Sequence, residues 1–214
     1  MLEAFTATHG RVGLVARGIR RRRSRQCSDL QLFRPLLLSW SARGELGTLT
    51  AVEADGPVCG LVGRALFSAF YLNELLVRLL ARQDPHPVLY KRYRSALRAL
   101  TEGMDIEPVL RMFEKTLLEE TGYGLLLDYE AEHGDRVQPD CYYDYHLESG
   151  PVAVDGPDAR GFIFPGGSLL AIARGQLNEP QVLLDAKRLM RSALNLYLGE
   201  RPLKSRELFK TIGK

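Results

Sequence analysis

Six arginines fall within nine residues near the start of the chain: Arg17, Arg20, Arg21, Arg22, Arg23 and Arg25. A guanidinium binds phosphate through paired N–H donors, so such a run can grip a nucleic-acid backbone while distinguishing bases poorly. Each neutralised phosphate releases counterions, which makes this binding steeply salt-dependent. We call residues 17–25 the arginine loop and predict that it binds a polyanion, with Arg11 as a further contact. The alternative is a solvated loop.

A second basic set follows near the C-terminal end, at Lys187, Arg188 and Arg191. Spacings of three and four place these residues on one helical face. Apolar residues lie close to them in sequence: Leu184, Met190, Leu194 and Leu196. The combination predicts a basic-rimmed apolar site for an acidic peptide with an apolar end. The alternative is a charged outer face over a core stripe.

Catalytic motifs are missing from the sequence. It contains no G-x-x-x-x-G-K-[ST], G-x-S-x-G, H-E-x-x-H or G-x-G-x-x-G pattern. The four histidines have no partnered nucleophile or base in the pattern around them: His9, His86, His133 and His146. We therefore expect a protein that is not an enzyme.

The cysteine pattern bears on metal binding and compartment. Cys27, Cys59 and Cys141 are widely spaced, odd in number and form no C-x-x-C pair. This spacing argues against a disulfide framework and against a structural zinc site, and it fits a reducing compartment. No secretory signal or membrane-spanning stretch is visible. We expect a cytoplasmic protein without a metal or other cofactor.

The first sixty residues are patterned as strands that would position the arginine loop. Short runs rich in β-branched and aliphatic residues at 11–17, 32–40 and 46–52 are separated by glycine-containing loops. In the first run Val12, Leu14 and Ala16 alternate with Arg11, Gly13 and Arg17. The alternation predicts one buried face and one face that offers arginines to solvent. These runs predict a small barrel or sheet.

After Gly60 the apolar period becomes helical. We predict helices over residues 64–83, 88–100, 106–120, 182–198 and 205–212. Between residues 122 and 167 the mixture of tyrosines, glycines and acids predicts long loops with a short hairpin. Successive helices of this kind are typical of a bundle.

Charge is distributed unevenly along the chain although its net value is only +3. Residues 1–50 carry nine Arg against three acids, and residues 101–160 carry four basic against fifteen acidic residues. Residues 51–100 and 161–214 are again basic. The pattern predicts polyanion-binding surfaces in the terminal parts and an acidic middle that repels the same ligand.

Several motifs, in order along nearly the whole chain, resemble the bacterial RecO family of recombination mediators. They are His9-Gly10-Arg11, Ala16-Arg17-Gly18 with the basic run to Ser24-Arg25, Leu32-Phe33-Arg34-Pro35, Tyr71 to Leu76, Gly122-Tyr123-Gly124-Leu125, Ala186 to Leu189, and Tyr197 to Gly199 followed by Pro202 to Phe209. The last motif is the most specific.

The resemblance implies an N-terminal OB-fold β-barrel over residues 1–59 and an all-helical C-terminal domain over residues 60–214. It implies a role in DNA repair and homologous recombination: binding single- and double-stranded DNA, annealing complementary strands and, with RecR, helping to load RecA. The arginine loop and Arg11 would contact DNA. Lys187, Arg188 and Arg191 would hold the acidic C-terminal tail of single-stranded DNA-binding protein.

Two departures from the family pattern alter these expectations. Family members carry about twenty more residues before His9, including the first barrel strand, so we expect an incomplete barrel with unpaired strand edges. Some members bear a four-cysteine zinc site in the region matching 129–170, where this chain has only Cys141. It is therefore expected to be zinc-free.

One competing class stays open. A non-enzymatic adaptor could bind a protein partner through its helical domain and RNA or another polyanion through the arginine loop. Single-strand annealing with complementary oligonucleotides separates the two functions.

Overall fold

The computed structural model describes residues 1–16, 29–42, 44, 46–199 and 201–207. The chain forms two compact units. Met1–Ile106 together with the chain end from Pro202 form the first, which we call the N-terminal unit; Glu107–Arg201 form the second, the C-terminal unit. No helix within the described ranges is long and apolar enough to cross a membrane.

A four-stranded sheet opens the N-terminal unit. Its strands are β1 (Leu2–Thr6), β2 (Gly10–Val15), β3 (Leu36–Ala42) and β4 (Gly47–Ala54), in the spatial order β1-β2-β4-β3. β1 and β2 form an antiparallel hairpin, β2 and β4 are parallel, and β3 and β4 are antiparallel with an irregularity between Ser39 and Trp40. The expectation of N-terminal strands is confirmed, but among the described residues the sheet is open and does not close into a barrel.

Strand β1 was not predicted from the sequence, although the other three strands were. Its five residues are too few to show a clear alternation, and each is only partly buried. Phe5 gives the strand its anchor, because its ring lies 5.6 Å from that of Tyr90 and 5.9 Å from that of Tyr93. The strand therefore depends on partners distant in sequence.

The turn after β1 explains the first family motif in physical terms. Gly10 has φ +62°, and a Cβ at this position would lie 1.9 Å from the carbonyl oxygen of Asp84. Only glycine fits such a close approach in this conformation without displacing the backbone. The motif thus holds the β1–β2 hairpin against the segment that follows the first helix.

Two long helices of the N-terminal unit lie in the described ranges: α1 (Gly63–Leu79) and α2 (Pro87–Thr101). Residues 204–207 are also helical, and the rest of the helix predicted over residues 205–212 lies outside the described residues. α1 buries Leu72, Leu75 and Leu76, as its apolar period predicts. It ends four residues before Gln83, the end predicted from the sequence. The reason is that the backbone N–H of Gln83 donates to the carbonyl oxygen of Arg11 at 2.9 Å. Pairing with the sheet replaces the last helical turn.

The C-terminal unit combines helices with a small sheet. Its helices are α3 (Ile106–Glu120), α4 (Gly166–Arg174) and α5 (Pro180–Leu198), and its strands are β5 (Tyr142–His146), β6 (Gly150–Val154) and β7 (Ile163–Pro165). The first residue of α3, Ile106, is the last residue of the N-terminal unit. The region is predominantly helical, but the expectation of an all-helical domain is wrong because β6, β5 and β7 form a sheet in that order. The expected hairpin is present as β5–β6.

Tyrosines in β5 provide the physical reason for this second sheet. Tyr143 and Tyr145 are buried, whereas Tyr142, Asp144 and His146 lie on the other face. This period of two is the pattern of a strand with one buried face. The surrounding acids and glycines concealed it in the sequence.

Candidate functional site

The whole arginine loop lies outside the described residues, including Arg17, Arg20, Arg21, Arg22, Arg23 and Arg25. The residues on either side of it are described. β2 leads into it at Val15, and the chain beyond it is held by Arg34, which donates to Asp29 Oδ1 at 3.2 Å and to the carbonyl oxygen of Gly56 at 3.1 Å. The flanking residues on both sides of the loop therefore belong to the N-terminal unit.

Arg11 takes a different position from the one its strand pattern predicts. Its side chain is only 16% exposed and lies 3.9 Å from Glu3 Oε2. Its Nη1 donates to the carbonyl oxygen of Val77 at 2.7 Å. The expectation that this face offers Arg11 to solvent is wrong, because Arg82 and the end of α1 cover it. Its assignment as a DNA contact stays a prediction.

The two units differ strongly in net charge. The sequence of the N-terminal unit holds 20 Lys and Arg against 10 Asp and Glu, a net charge of +10. The C-terminal unit holds 9 against 16, a net charge of −7. A polyanion is therefore attracted to the first unit and repelled by the second.

One basic surface was missed by the sequence reasoning. α2 carries Lys91, Arg92, Arg94 and Arg98 and has no acidic residue along its 15-residue length. The signal was present in the sequence as an excess of basic residues between positions 51 and 100.

The second predicted site lies on α5 in the C-terminal unit. Lys187 Nζ lies 2.9 Å from Glu107 Oε1, and Arg188 Nη1 lies 3.2 Å from Asp185 Oδ1. Arg191 is exposed one turn further along. The three cations share one face of the helix, as their spacing predicts.

The apolar part of this surface differs from the expectation. Met190 and Leu194 are wholly buried in the core and cannot line a surface site. Leu184 is 52% exposed and shares the face of the three cations. We call Leu184, Lys187, Arg188 and Arg191 the α5 face.

Aromatic residues preceding and within β7 complete the α5 face and were also missed. The Arg188 guanidinium carbon lies 4.9 Å from the ring centre of Phe164 and 5.4 Å from that of Phe162. Phe164 is buried, whereas Phe162 is partly exposed. Cation–π contacts of this kind hold the guanidinium over the rings. No local sequence pattern connects β7 to α5.

A buried carboxylate orients the same arginine. Asp185 is fully buried and accepts hydrogen bonds from Ser168 Oγ at 2.8 Å and Gln181 Nε2 at 3.2 Å as well as from Arg188. Buried carboxylates require such partners. An acidic peptide that binds the α5 face must therefore compete with Asp185 for Arg188 and with Glu107 for Lys187.

Two of the motifs that resemble the RecO family, Tyr71 to Leu76 and the chain end from Pro202, contact each other in the N-terminal unit. Glu74 on α1 accepts hydrogen bonds from the backbone N–H groups of Lys204 and Ser205 at 2.9 and 2.8 Å, and from Ser205 Oγ at 2.6 Å. Leu203 beside them is buried. Arg78 Nη1 also donates to the carbonyl oxygen of Pro202 at 3.4 Å. The motifs thus have a structural role, since they fasten the segment Pro202–Glu207 to α1.

These contacts shift the ionisation of Glu74. Burial raises the pKa of its carboxyl group, but the hydrogen bonds from Ser205 and Lys204 and the nearby positive charge of Arg78 outweigh burial and hold that pKa below its ordinary value of 4.5. The carboxylate is therefore ionised at neutral pH.

Metal-binding chemistry finds no support in the described part of the chain. No group of three or more His, Cys, Asp or Glu side chains there converges on a point. Cys141 is exposed, and Cys59 Sγ donates to the carbonyl oxygen of Phe33 at 3.0 Å. Cys27 lies outside the described residues.

Comparison with known proteins covers both units. Family models described as Recombination protein O N terminal and Recombination protein O C terminal match residues 1–57 and 62–207. The chain is 48% identical to the DNA repair protein RecO of Methylococcus capsulatus over 212 residues, which cover 99% of this chain and 86% of that relative. It is 47% identical to the DNA repair protein RecO of Nitrosococcus oceani over 212 residues, with the same coverage. The chain therefore belongs to the RecO family of recombination and DNA repair proteins.

Proposed function

We propose that this protein is a non-enzymatic mediator that binds single- and double-stranded DNA and anneals complementary strands. With RecR, it would help to load RecA onto DNA coated with single-stranded DNA-binding protein, in the cytoplasm at the nucleoid. The observation that carries DNA binding is the separation of charge, with +10 on the N-terminal unit and −7 on the C-terminal unit. Family membership supports the repair role.

The arginine loop is the principal DNA contact in this proposal. Its six arginines lie in the sequence between β2 and the Asp29–Arg34 ion pair, so the residues that flank the cationic segment on both sides belong to the basic unit. Arginines that bridge the phosphates of two strands lower the repulsion that slows annealing. The acidic C-terminal unit limits how far DNA spreads over the protein.

The α5 face is the proposed site for the acidic tail of single-stranded DNA-binding protein. Lys187, Arg188 and Arg191 supply the positive charge, and Leu184 with Phe162 supplies apolar surface for the end of the tail. Binding a protein that already coats DNA raises the effective concentration of the arginine loop near that DNA.

We propose an OB-type architecture for residues 1–59 and a separate C-terminal domain for residues 60–214. The sheet order β1-β2-β4-β3 supports this architecture. Its parallel pair β2–β4 requires a connection other than a hairpin, as in a Greek-key barrel such as the OB-fold. The family models match residues 1–57 and 62–207, which also supports a boundary near residue 60. Closing the barrel requires a connection between the edge strands β1 and β3.

Annealing of fluorescent complementary oligonucleotides tests the proposal. The protein should accelerate annealing of bare strands, and of strands coated with single-stranded DNA-binding protein. The variant Arg20→Ala/Arg21→Ala should lose much of the acceleration. The matched control is Arg160→Ala/Arg174→Ala, because both of those arginines are exposed on the acidic unit and their loss removes the same charge.

Two results would contradict the proposal. If wild-type protein leaves the spontaneous annealing rate unchanged, the proposed mediator function is refuted. That result would favour an adaptor that binds RNA or another polyanion. Equal losses in the loop variant and the control would show that net charge alone, rather than the arginine loop, promotes annealing.

A further inference from the structure

The basic side of α2 is a surface to which no role has been assigned. Lys91, Arg94 and Arg98 are spaced by three and four residues and share one face of the helix. All three are exposed. Arg98 pairs with Glu102 at 2.8 Å in a contact whose arginine side chain is 81% exposed. Such an exposed pair is weak and screened by salt, so Arg98 can exchange partners readily. We call these three residues the α2 face.

Two tyrosines of α2 fix the helix to the sheet from which the arginine loop leads. The rings of Tyr90 and Tyr93 pack edge-on against Phe5 of β1. The Tyr93 hydroxyl also donates to Asn73 Oδ1 on α1 at 2.5 Å. The α2 face is therefore held in the same unit as the loop.

The dimensions of the face suit a repeating negative charge. At a rise of 1.5 Å per residue, Lys91 and Arg98 are about 10 Å apart along the helix axis. One strand of duplex DNA presents a phosphate every 3.4 Å along its axis, so the face spans about three phosphates.

The face lacks the apolar anchors of a peptide site. Val88 is the only large apolar side chain that is highly exposed on α2. Recognition of an acidic peptide requires pockets for its side chains in addition to charge. A row of cations without such pockets matches a phosphate backbone.

We propose that the α2 face, formed by Lys91, Arg94 and Arg98, is a second phosphate-binding surface that extends the path of DNA beyond the arginine loop. This inference rests on the proposed DNA-binding function. Two phosphate-binding sites on one unit hold DNA more tightly than either alone, because binding at one raises the effective concentration of the strand at the other. The α2 face adds contacts from a helix that is packed against the sheet.

The salt dependence of binding measures this contribution. Each phosphate contact with single-stranded DNA adds about 0.7 to the slope of log affinity against log salt concentration. Loss of two contacts should therefore make the slope shallower by about 1.4. Between 50 and 200 mM salt, the fall in affinity would be about 7-fold smaller than for wild type.

The experiment compares full-length variants on a fluorescent single-stranded oligonucleotide by anisotropy at several salt concentrations. Lys91→Gln/Arg94→Gln should show the shallower slope. Lys91→Arg/Arg94→Lys keeps both charges and should retain the wild-type slope. Arg160→Gln/Arg174→Gln removes the same charge from the C-terminal unit and should also retain it. Unchanged thermal unfolding confirms that each variant is folded, which is expected because the side chains are exposed.

The outcomes separate this inference from the proposed function. A wild-type slope near zero would overturn both. A slope that becomes shallower for Arg20→Ala/Arg21→Ala but not for Lys91→Gln/Arg94→Gln would overturn only the phosphate-binding role of the α2 face. Equal changes in the α2 variant and the C-terminal control would also overturn it, since they would show an effect of net charge.

Discussion

Replacing Glu74 with Ala should release the segment Pro202–Glu207 from α1 and destabilise the N-terminal unit. The carboxylate accepts three hydrogen bonds, from two backbone N–H groups and the Ser205 hydroxyl. A hydrogen bond to a charged group contributes about 1.5–3 kcal/mol, but water replaces part of what a half-buried site loses. We expect a loss of about 2 kcal/mol, equivalent to a Tm lowered by about 4–8 °C.

The sign of the pH dependence follows from the ionisation of Glu74. Its pKa is lower in the folded protein than its ordinary value of 4.5. The stabilisation is therefore fully present above that ordinary pKa and is lost as pH falls through the folded-state pKa. The Tm difference between wild type and Glu74→Ala should be largest at neutral pH and should narrow under acid conditions.

Thermal unfolding at pH 7 and pH 4, together with hydrogen exchange, provides the assay. The amides of Lys204 and Ser205 should exchange faster in Glu74→Ala than in wild type. Glu53→Ala is the matched control, since Glu53 is an exposed glutamate of the same unit. Equal Tm losses for the two variants, or unchanged exchange at Lys204 and Ser205, would refute the fastening role of Glu74.

Three further predictions concern the α5 face and the hairpin. Arg191→Ala should weaken capture of an acidic tail peptide by about 1–3 kcal/mol in a titration, the range for a charged hydrogen bond, without lowering the Tm; unaltered affinity would move the site elsewhere. Asp185→Ala should lower the free energy of unfolding by about 3 kcal/mol in a denaturant titration, because it leaves buried Ser168 without its acceptor and Arg188 without its carboxylate; wild-type stability would contradict this. Gly10→Ala should destabilise by more than about 1 kcal/mol through strain and the clash with Asp84, and a wild-type Tm would refute the close approach.

The helices were predictable from sequence because their apolar period is local. α3 was predicted to its exact bounds, and α5 differs only at its first turn. α1 was predicted too long, since a hydrogen bond to Arg11 ends it and no local pattern shows a partner 72 residues away. β1, β7 and α4 were missed because each is short and takes its stability from tertiary contacts.

The sequence was sufficient to predict the basic residues of the α5 face, but not the residues of other elements that contact them. The shared face of Lys187, Arg188 and Arg191 follows from helical spacing alone. The contact of Arg188 with Phe162 does not, because it joins elements that only the fold brings together. Arg11 shows the reverse error: the strand pattern places it correctly on one face, but that face is covered by another part of the chain.

Hydrogen exchange with and without a single-stranded oligonucleotide tests the central claim most directly. DNA should protect amides in the N-terminal unit, around the arginine loop and along α2, and should leave the acidic stretch between residues 128 and 158 unchanged. Protection confined to the C-terminal unit would contradict the claim that the charge difference between the units directs DNA binding.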